Sequence, residues 1–436
     1  MMQNSATDAA MAAPAVGVDS QAAAPARASA YAWLVLALTF GLLLSDYMSR
    51  QLLSAVFPLL KADWSLTDSQ LGALGGVVPL AVGVLTLPLS YVADRVGRVR
   101  SIAAMAIVWS VATIACGVCQ QYGQMMLARL AVGVGEAAYG SVGVALVVSV
   151  FPVRMRAAIV GAFTAGGLFG SVLGLTSGGL IAAQMGWRWA FVIVGVAGLA
   201  LGAAYPLLVR EQKIGLAGPA MGAAGKHGVA GVLRNLRAAI FPSWATVWTY
   251  LGSGLQLFIP ATLMAWGPSF LNRYHGMALS QAAVVSSGFV LAGGIGMIVC
   301  GALADRISRG RPQIQLKVAA GYSLASAALL AIALALPAGG PQLVFLACAM
   351  SLASGTLGPA GAVVAAGAPL ESHGAAFAAL TLANNFLGLA PGPYVTGAVA
   401  DRVGLLHALQ LAPLAGLLAA GGFAMALRLG RRPGVA

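Results

Sequence analysis

A chain of 436 residues that is 60% hydrophobic and only 8% charged, with a mean hydropathy of +0.89, is not a soluble domain, because those carry about 25% charged residues. Apolar runs of ~20 residues, each long enough to cross a bilayer core, recur along it. They are continuously apolar rather than alternating, which excludes a β-barrel.

Residues 1–30 are Ala-rich and lack the basic start and apolar middle of a signal peptide; they read as a disordered tail. The spacing then predicts twelve membrane helices in two halves. The first half, 31–209, holds spans near 31–57, 69–91, 102–119, 124–150, 158–182 and 189–209. A Gly-rich, basic loop at 210–242 follows. The second half, 243–427, holds spans near 243–270, 280–304, 318–337, 343–368, 375–400 and 405–427, before a short tail at 428–436. The expected class is an all-α integral membrane protein. With both termini on one side, that side collects eighteen of the 24 Lys and Arg residues, and the other receives Lys61, Arg188, Arg273 and Arg402. The positive-inside rule places the termini in the cytoplasm. The net charge of +13 is thus a topology signal, with scope for anionic-lipid contact, and nucleic acid is not an expected partner.

In the first span, "FGLLLSDYMSRQLLSAVF" holds Asp46 and Arg50 far from either end. Four residues apart, they share a helix face and can pair. Each charge costs about 2.5–3.5 kcal/mol at a span's centre. Two readings follow: a self-neutralised pair that orients the helix, or an anion site at Arg50, whose planar fork suits a carboxylate. After the second span comes "SYVADRVGRVR", and after the eighth comes "GALADRISRGR". Asp94 with Arg95 and Arg98 therefore echo Asp305 with Arg306, and gating contacts at helix ends are expected of both loops. A weaker echo links "GGLIAAQMGWRWAF" with "GAVADRVGLLHAL". Duplicated halves with a site between them are a transporter architecture.

In the fourth span, Arg129 and Glu136 lie on one stripe with Gly133 and Gly140. Arg129 either holds carbonyls of neighbouring helices or joins a polar network. Glu136 has no basic residue within a turn, so it is a candidate proton carrier, or else a partner for Arg50 or Arg129 across the bundle. Gly166, Gly170, Gly174 and Gly178 read as a helix-packing ridge. In the second half, Tyr250, Gln256, Trp266, Asn384 and Asn385 are available to line a cavity, the two amides most of all, since they need partners deep in a span. Cys116 and Cys119 have redox-motif spacing but no thioredoxin-like context. The four histidines show no metal spacing, and no nucleophile–base set can be assembled. No cofactor, metal or enzymatic activity is expected, and 210–242 is too short for a signalling output.

The motifs resemble those of the major facilitator superfamily across roughly 31–427. "SYVADRVGRVR" is similar to its loop signature, with Ser90 where the family has Gly. "LARLAVGVGEAAYG" resembles its fourth-helix motif, and the Gly166–Gly178 run its glycine-rich fifth helix. "VGEAAY" and "WGPSFLNRYHG" look most like spinster-type transporters, while the first helix and "GWRWAF" are similar to anion:cation symporters. Both groups show Tyr-x-Asp-Arg in helix one; here the order is Tyr47-Met48-Ser49-Arg50, with the acid at Asp46. The resemblance implies a twelve-helix alternating-access fold working as a monomer, and the Ala/Gly-rich composition points to a bacterial inner membrane. The function expected is proton-coupled symport of a small organic anion. Arg50 and Tyr47 would bind it with Tyr250, Gln256, Asn384 and Asn385; Asp46, Glu136 and Arg129 would handle the proton. The alternative is export of lysolipid-like or other amphiphilic compounds.

Overall fold

The computed structural model describes residues 29–214, 241, 243–368 and 373–430. Nearly all of the predicted 1–30 tail, most of the 210–242 loop and the end of the 428–436 tail lie outside the described residues.

All regular structure among the described residues is helical. In the first half, α1 (Ala30–Trp64), α2 (Asp68–Val96) and α3 (Arg98–Val118) are unbroken. The crossing α4 (Tyr122–Val150) consists of Tyr122–Glu136 and Tyr139–Val150. It is followed by α5 (Arg156–Met185) and α6 (Trp187–Leu208). In the second half, α7 covers 244–274 as Trp244–Gln256 and Phe258–Tyr274. Next come α8 (Leu279–Ser308), α9 (Pro312–Ala335) and α10 (Gly340–Gly367). The crossing α11 covers 373–403, with a π-helical turn at Asn385–Leu389, and α12 is Leu405–Leu429. Among the described residues, ten of these crossings qualify as membrane spans by length and apolar composition; α7 and α11 complete the twelve.

Local sequence explains the ends. Ser29 caps α1 by accepting from the Ala32 N–H at 3.1 Å. Thr67 and Gln70 form a capping box at the start of α2, satisfying two orphan donors reciprocally. Between α2 and α3, Gly97 has φ +105°, a conformation that excludes most side chains. The turn it makes is closed by Glu211, whose Oε1 accepts from the Val99 N–H at 3.0 Å.

Five crossings that the sequence presents as continuous spans are interrupted among the described residues: α4, α7, α10 (Gly340–Ser354 and Leu357–Gly367), α11 and α12 (Leu405–Leu411 and Pro413–Leu429); two of these breaks bear on the site. In α4 the break falls just after Glu136, and the freed carbonyl of Ala137 accepts from Thr86 Oγ1 of α2 at 2.7 Å. In α11 the π turn precedes Pro391 and Pro393 and closes with the Ala390 N–H donating to the Asn385 carbonyl at 2.9 Å. Turns of this kind are frequent at functional sites.

Close helix contact sets the positions of the site-bearing elements. A Cβ on Gly170 would lie 2.7 Å from the Leu44 carbonyl oxygen, and one on Gly174 would lie 2.6 Å from Met48 Cα. The glycine ridge of α5 therefore brings α1 to backbone contact, which fixes where Asp46 and Arg50 project. The halves meet along α2–α11 and α5–α8, and where α1 packs on the Phe258–Tyr274 segment of α7.

The face that carries the start of α1 and the end of α12 is here the terminal face, and its opposite the far face. At the far face the halves are bonded. Arg273 of α7 makes a two-pronged ion pair with Asp68 of α2, Nη1 to Oδ2 at 2.8 Å and Nη2 to Oδ1 at 2.7 Å. Lys61 Nζ donates to the same Asp68 at 2.6 Å. Asp401 of α11 accepts from the N–H groups of Asp68 and Ser69, at 2.6 and 3.0 Å, so its carboxylate sits on the positive end of α2. Toward the terminal face, Tyr139–Val150, Trp244–Gln256 and Leu357–Gly367 pack within their own halves. The bundle is joined at the far face and parts toward the terminal one.

Candidate functional site

The charged residues of the first half converge. Asp46, Arg129 and Glu136 are each 2% exposed. Arg50 is partly open, at 21% for its side chain. Its Nε donates to Asp46 Oδ1 at 3.1 Å and lies 2.8 Å from Glu136 Oε2. The second contact is an ion pair without hydrogen-bond alignment, since Glu136 Oε2 has no hydrogen-bond partner among the described residues. One guanidinium thus stands between two buried carboxylates. Glu136 is not isolated, although its own helix offers no cation within a turn; the cation comes from α1.

Ser49 ties the cluster together. Its Oγ donates to Glu136 Oε1 at 2.9 Å, and the Asp46 carbonyl lies at the same distance from it. Arg129 Nη1 donates to the Ser49 carbonyl at 3.1 Å, while Arg129 Nε is buried without a partner among the described residues. Tyr47 lies against Arg50, with the guanidinium carbon 5.1 Å from the ring centroid. Gly167 leaves room for that ring: a Cβ there would approach Tyr47 Cε2 to 3.0 Å. With all four groups ionised, two acids balance two bases. That balance offsets the cost of holding single charges in a low-dielectric interior.

Arg50 and Arg129 face a cavity of about 160 Å³ between the halves. Its first-half wall also includes Tyr47, Gln51 and Ser54. Across from them stand Ala261, Met264 and Ala265 of α7 with Leu389 and Pro393 of α11. No hydrogen bond from either Nη group of Arg50 is made among the described residues, so the forked end of the side chain is available to a ligand in this cavity. The chemistry offered is charge-assisted binding of a planar anion beside two carboxylates that a proton could neutralise.

The other expected residues are placed elsewhere. Ser253 Oγ donates to Asn384 Oδ1 at 2.8 Å, Asn385 Nδ2 donates to the Thr381 carbonyl at 2.9 Å, and Gln256 Nε2 donates to Ser326 Oγ at 2.8 Å. Tyr250 is buried among Val364, Ala376, Ala379 and Leu380. None of these four expected ligands lines the Arg50 cavity. Of the terminal-face loops, Arg95 bonds and stacks on Tyr91 of its own helix, and Arg98 Nη1 donates to the Ala145 carbonyl at 3.2 Å. Asp305 accepts from Gln315 Nε2 at 2.9 Å, and Arg306 is exposed. The side chain of Asp94 lies outside the described residues. No ion pair links these loops across the halves among the described residues.

Sequence reasoning gave no role to Ser49, Gln51 or Ser54. Their signal was present: three polar residues on the helix faces next to Arg50 within an apolar span. It also passed over Asp68, Arg273 and Asp401, which had the look of isolated charges at span ends.

Comparison with known proteins agrees with this architecture. The Major Facilitator Superfamily pattern matches residues 39–393. An "MFS-type efflux pump" of Mycolicibacterium smegmatis is 30% identical over 402 residues, 90% of each chain. A "Probable L-galactonate transporter" of Escherichia coli is 26% identical over 273 residues, 61% of this chain and 60% of that protein. In three dimensions the chain is similar to a bacterial homolog of the human lysosomal transporter Spinster, solved inward-facing and unoccupied. The TM-score is 0.78 at 20% identity, covering 92% of this chain and 98% of that one, which is a likeness of fold.

Proposed function

The chain belongs to the Major Facilitator Superfamily, and from that premise we propose that this multi-pass membrane transporter couples a proton to the movement of a small organic anion. The observation that carries the reading is Arg50, set between Asp46 and Glu136 with its forked end on the cavity. An anion that binds Arg50 adds one negative charge to a cluster that is neutral without it. One proton on Asp46 or Glu136 restores the balance. The loaded, neutral site then crosses between the two faces without working against the membrane potential, which is worth about 2.3 kcal/mol per charge per 100 mV. Arg129 holds α1 to α4 through Ser49 and keeps the network assembled.

The excess of basic residues on the terminal face supports a cytoplasmic assignment for it; on this reading the membrane is a bacterial inner membrane and the present conformation is inward-facing. The protein works as a monomer, since each chain carries both halves of the site. The terminal-face loops, with Asp94, Arg95, Arg98, Asp305 and Arg306, then engage across the halves when that face closes.

A second reading, export of an amphiphile, draws on the efflux-pump relative and on an apolar groove of about 350 Å³ at the α2–α11 seam. Phe386 and Tyr394 line it and are exposed. One experiment separates the readings: proteoliposomes holding a pH-sensitive dye, challenged with organic anions and with lysolipids. Proton entry triggered by a carboxylate supports symport. Proton flux with lysolipids alone moves the assignment to export and leaves Arg50 structural.

A further inference from the structure

The Arg50 cavity is chemically one-sided, and that asymmetry limits what it can hold. On the first-half wall stand two guanidinium groups, an amide and two hydroxyls: Arg50, Arg129, Gln51, Ser54 and Tyr47. The opposite wall, from Ala261, Met264, Ala265, Leu389 and Pro393, presents no polar side chain, and α2 adds only Gly75, Val78 and Pro79.

The polar side chains of the second half nearest this wall are engaged inside that half. Thr262 Oγ1 is 3.1 Å from Thr396 Oγ1, and Trp266 Nε1 donates to the Pro393 carbonyl at 3.0 Å. On α7 these residues flank Met264 and Ala265, so the helix turns its hydrogen-bonding side chains inward and its apolar ones to the cavity. A hydroxyl on the far part of a ligand would leave water and meet no partner there.

Size narrows the class further. The cavity is about 160 Å³, and an apolar cavity of ~150 Å³ takes one benzene. A carboxylate on the Arg50 fork with a single ring, or a branched body of that bulk, fills it. A long alkyl chain would run beyond this volume and lose contact with both walls.

We propose that the site selects monoanions with a compact, apolar, ring-sized body, the carboxylate held by Arg50 and the body seated against Met264 and Leu389. This rests on the anion reading above and names its substrate class.

The test is ligand-induced thermal stabilisation of the purified full-length chain in nanodiscs, titrated with benzoate, cyclohexanecarboxylate, gluconate, decanoate and benzyl alcohol. Benzoate and cyclohexanecarboxylate are expected to bind at least ~10-fold more tightly than gluconate or decanoate, the scale on which a pocket senses small changes in fit; benzyl alcohol is expected to be silent. Met264→Gln, close in length but polar, should narrow the benzoate-to-gluconate ratio, and Met264→Ala should admit 2-naphthoate. Gluconate binding as tightly as benzoate, with both lost in Arg50→Lys, would overturn the apolar-body assignment and leave the anion site standing. Silence from every carboxylate would overturn the anion reading and this inference together. An unchanged ratio in both Met264 variants would remove the α7 wall from specificity.

Discussion

The two halves share a fold and differ in what they bury. At the centre of the first half lie four ionisable side chains, Asp46, Arg50, Arg129 and Glu136. The second half buries amides and hydroxyls at comparable depth, bonded in pairs such as Ser253–Asn384 and Gln256–Ser326. A neutral pair needs no counter-charge, so its charge balance does not depend on what binds nearby. A shared guanidinium is different, because a ligand that competes for it changes the charge balance of both carboxylates. On the proposed reading, the charged half is the one that senses anions and protons, and the other half serves as its wall.

The sharpest way to break this comparison is to make the first half as neutral as the second. Glu136→Gln keeps an oxygen for Ser49 Oγ to donate to and removes the titrating group. The expected outcome is complete loss of pH-driven accumulation with substrate exchange retained. Accumulation at the normal rate in proteoliposomes would move coupling away from Glu136. Arg50→Lys is a smaller change: the charge stays, but the fork is lost. Loss of one charge-assisted hydrogen bond is worth about 1.5–3 kcal/mol, so ligand affinity should fall ten- to a hundredfold. Equal affinity would make Arg50 a structural residue.

A second contrast runs between the faces, bonded at the far one and parted at the other. Asp68→Asn keeps the shape of the side chain but discharges the centre shared by Arg273 and Lys61. A half-buried pair of this kind contributes about 1 kcal/mol or slightly more. Opening at the far face should therefore rise roughly fivefold. The readout is far-side alkylation of a cysteine placed in the cavity by Ser54→Cys. No change in its rate would mean that close packing of α2 on α11 alone holds the face shut.

The fold was legible because each crossing announces itself by composition, and the repeated Ala-Asp-Arg loops mark the halves. The Asp46–Arg50 pair was legible too, since both residues sit on one helix. What could not be read were pairings between distant segments. Arg273 and Asp68 are 205 residues apart, and Asp401 caps a helix start 333 residues before it. Each is a lone charge at a span end until the packing of α2 against α7 and α11 is known. The pairing of Glu136 with Arg50 stood among the sequence's alternatives, but choosing it over Arg129 or a free acid required the packing of α1 against α4. For the second-half amides the sequence left the partner open, because a polar residue deep in a span signals only a need for one; the structure gives each of them a protein partner.

The break in α4 gives the finest test of how the charged half is held. The helix stops just after Glu136 and resumes at Tyr139, which leaves the Ala137 carbonyl outside the helical ladder. In a membrane interior such a group must find a donor. Thr86 of α2 provides it at 2.7 Å, sharing the same hydroxyl with the Val82 carbonyl of its own helix at 2.5 Å. Thr86→Val preserves the shape and removes the donor, leaving a half-buried carbonyl unsatisfied at a cost of about 1 kcal/mol. Thermal stability should fall by a few degrees at most, and substrate affinity should hold. Proton coupling is the informative readout. The orphaned carbonyl can be relieved by a small shift of the Glu136 end of the helix, which alters the 2.8 Å contact with Arg50. A shifted pH profile of transport with unchanged affinity would show that the break positions Glu136; an unchanged profile would confine Thr86 to stability.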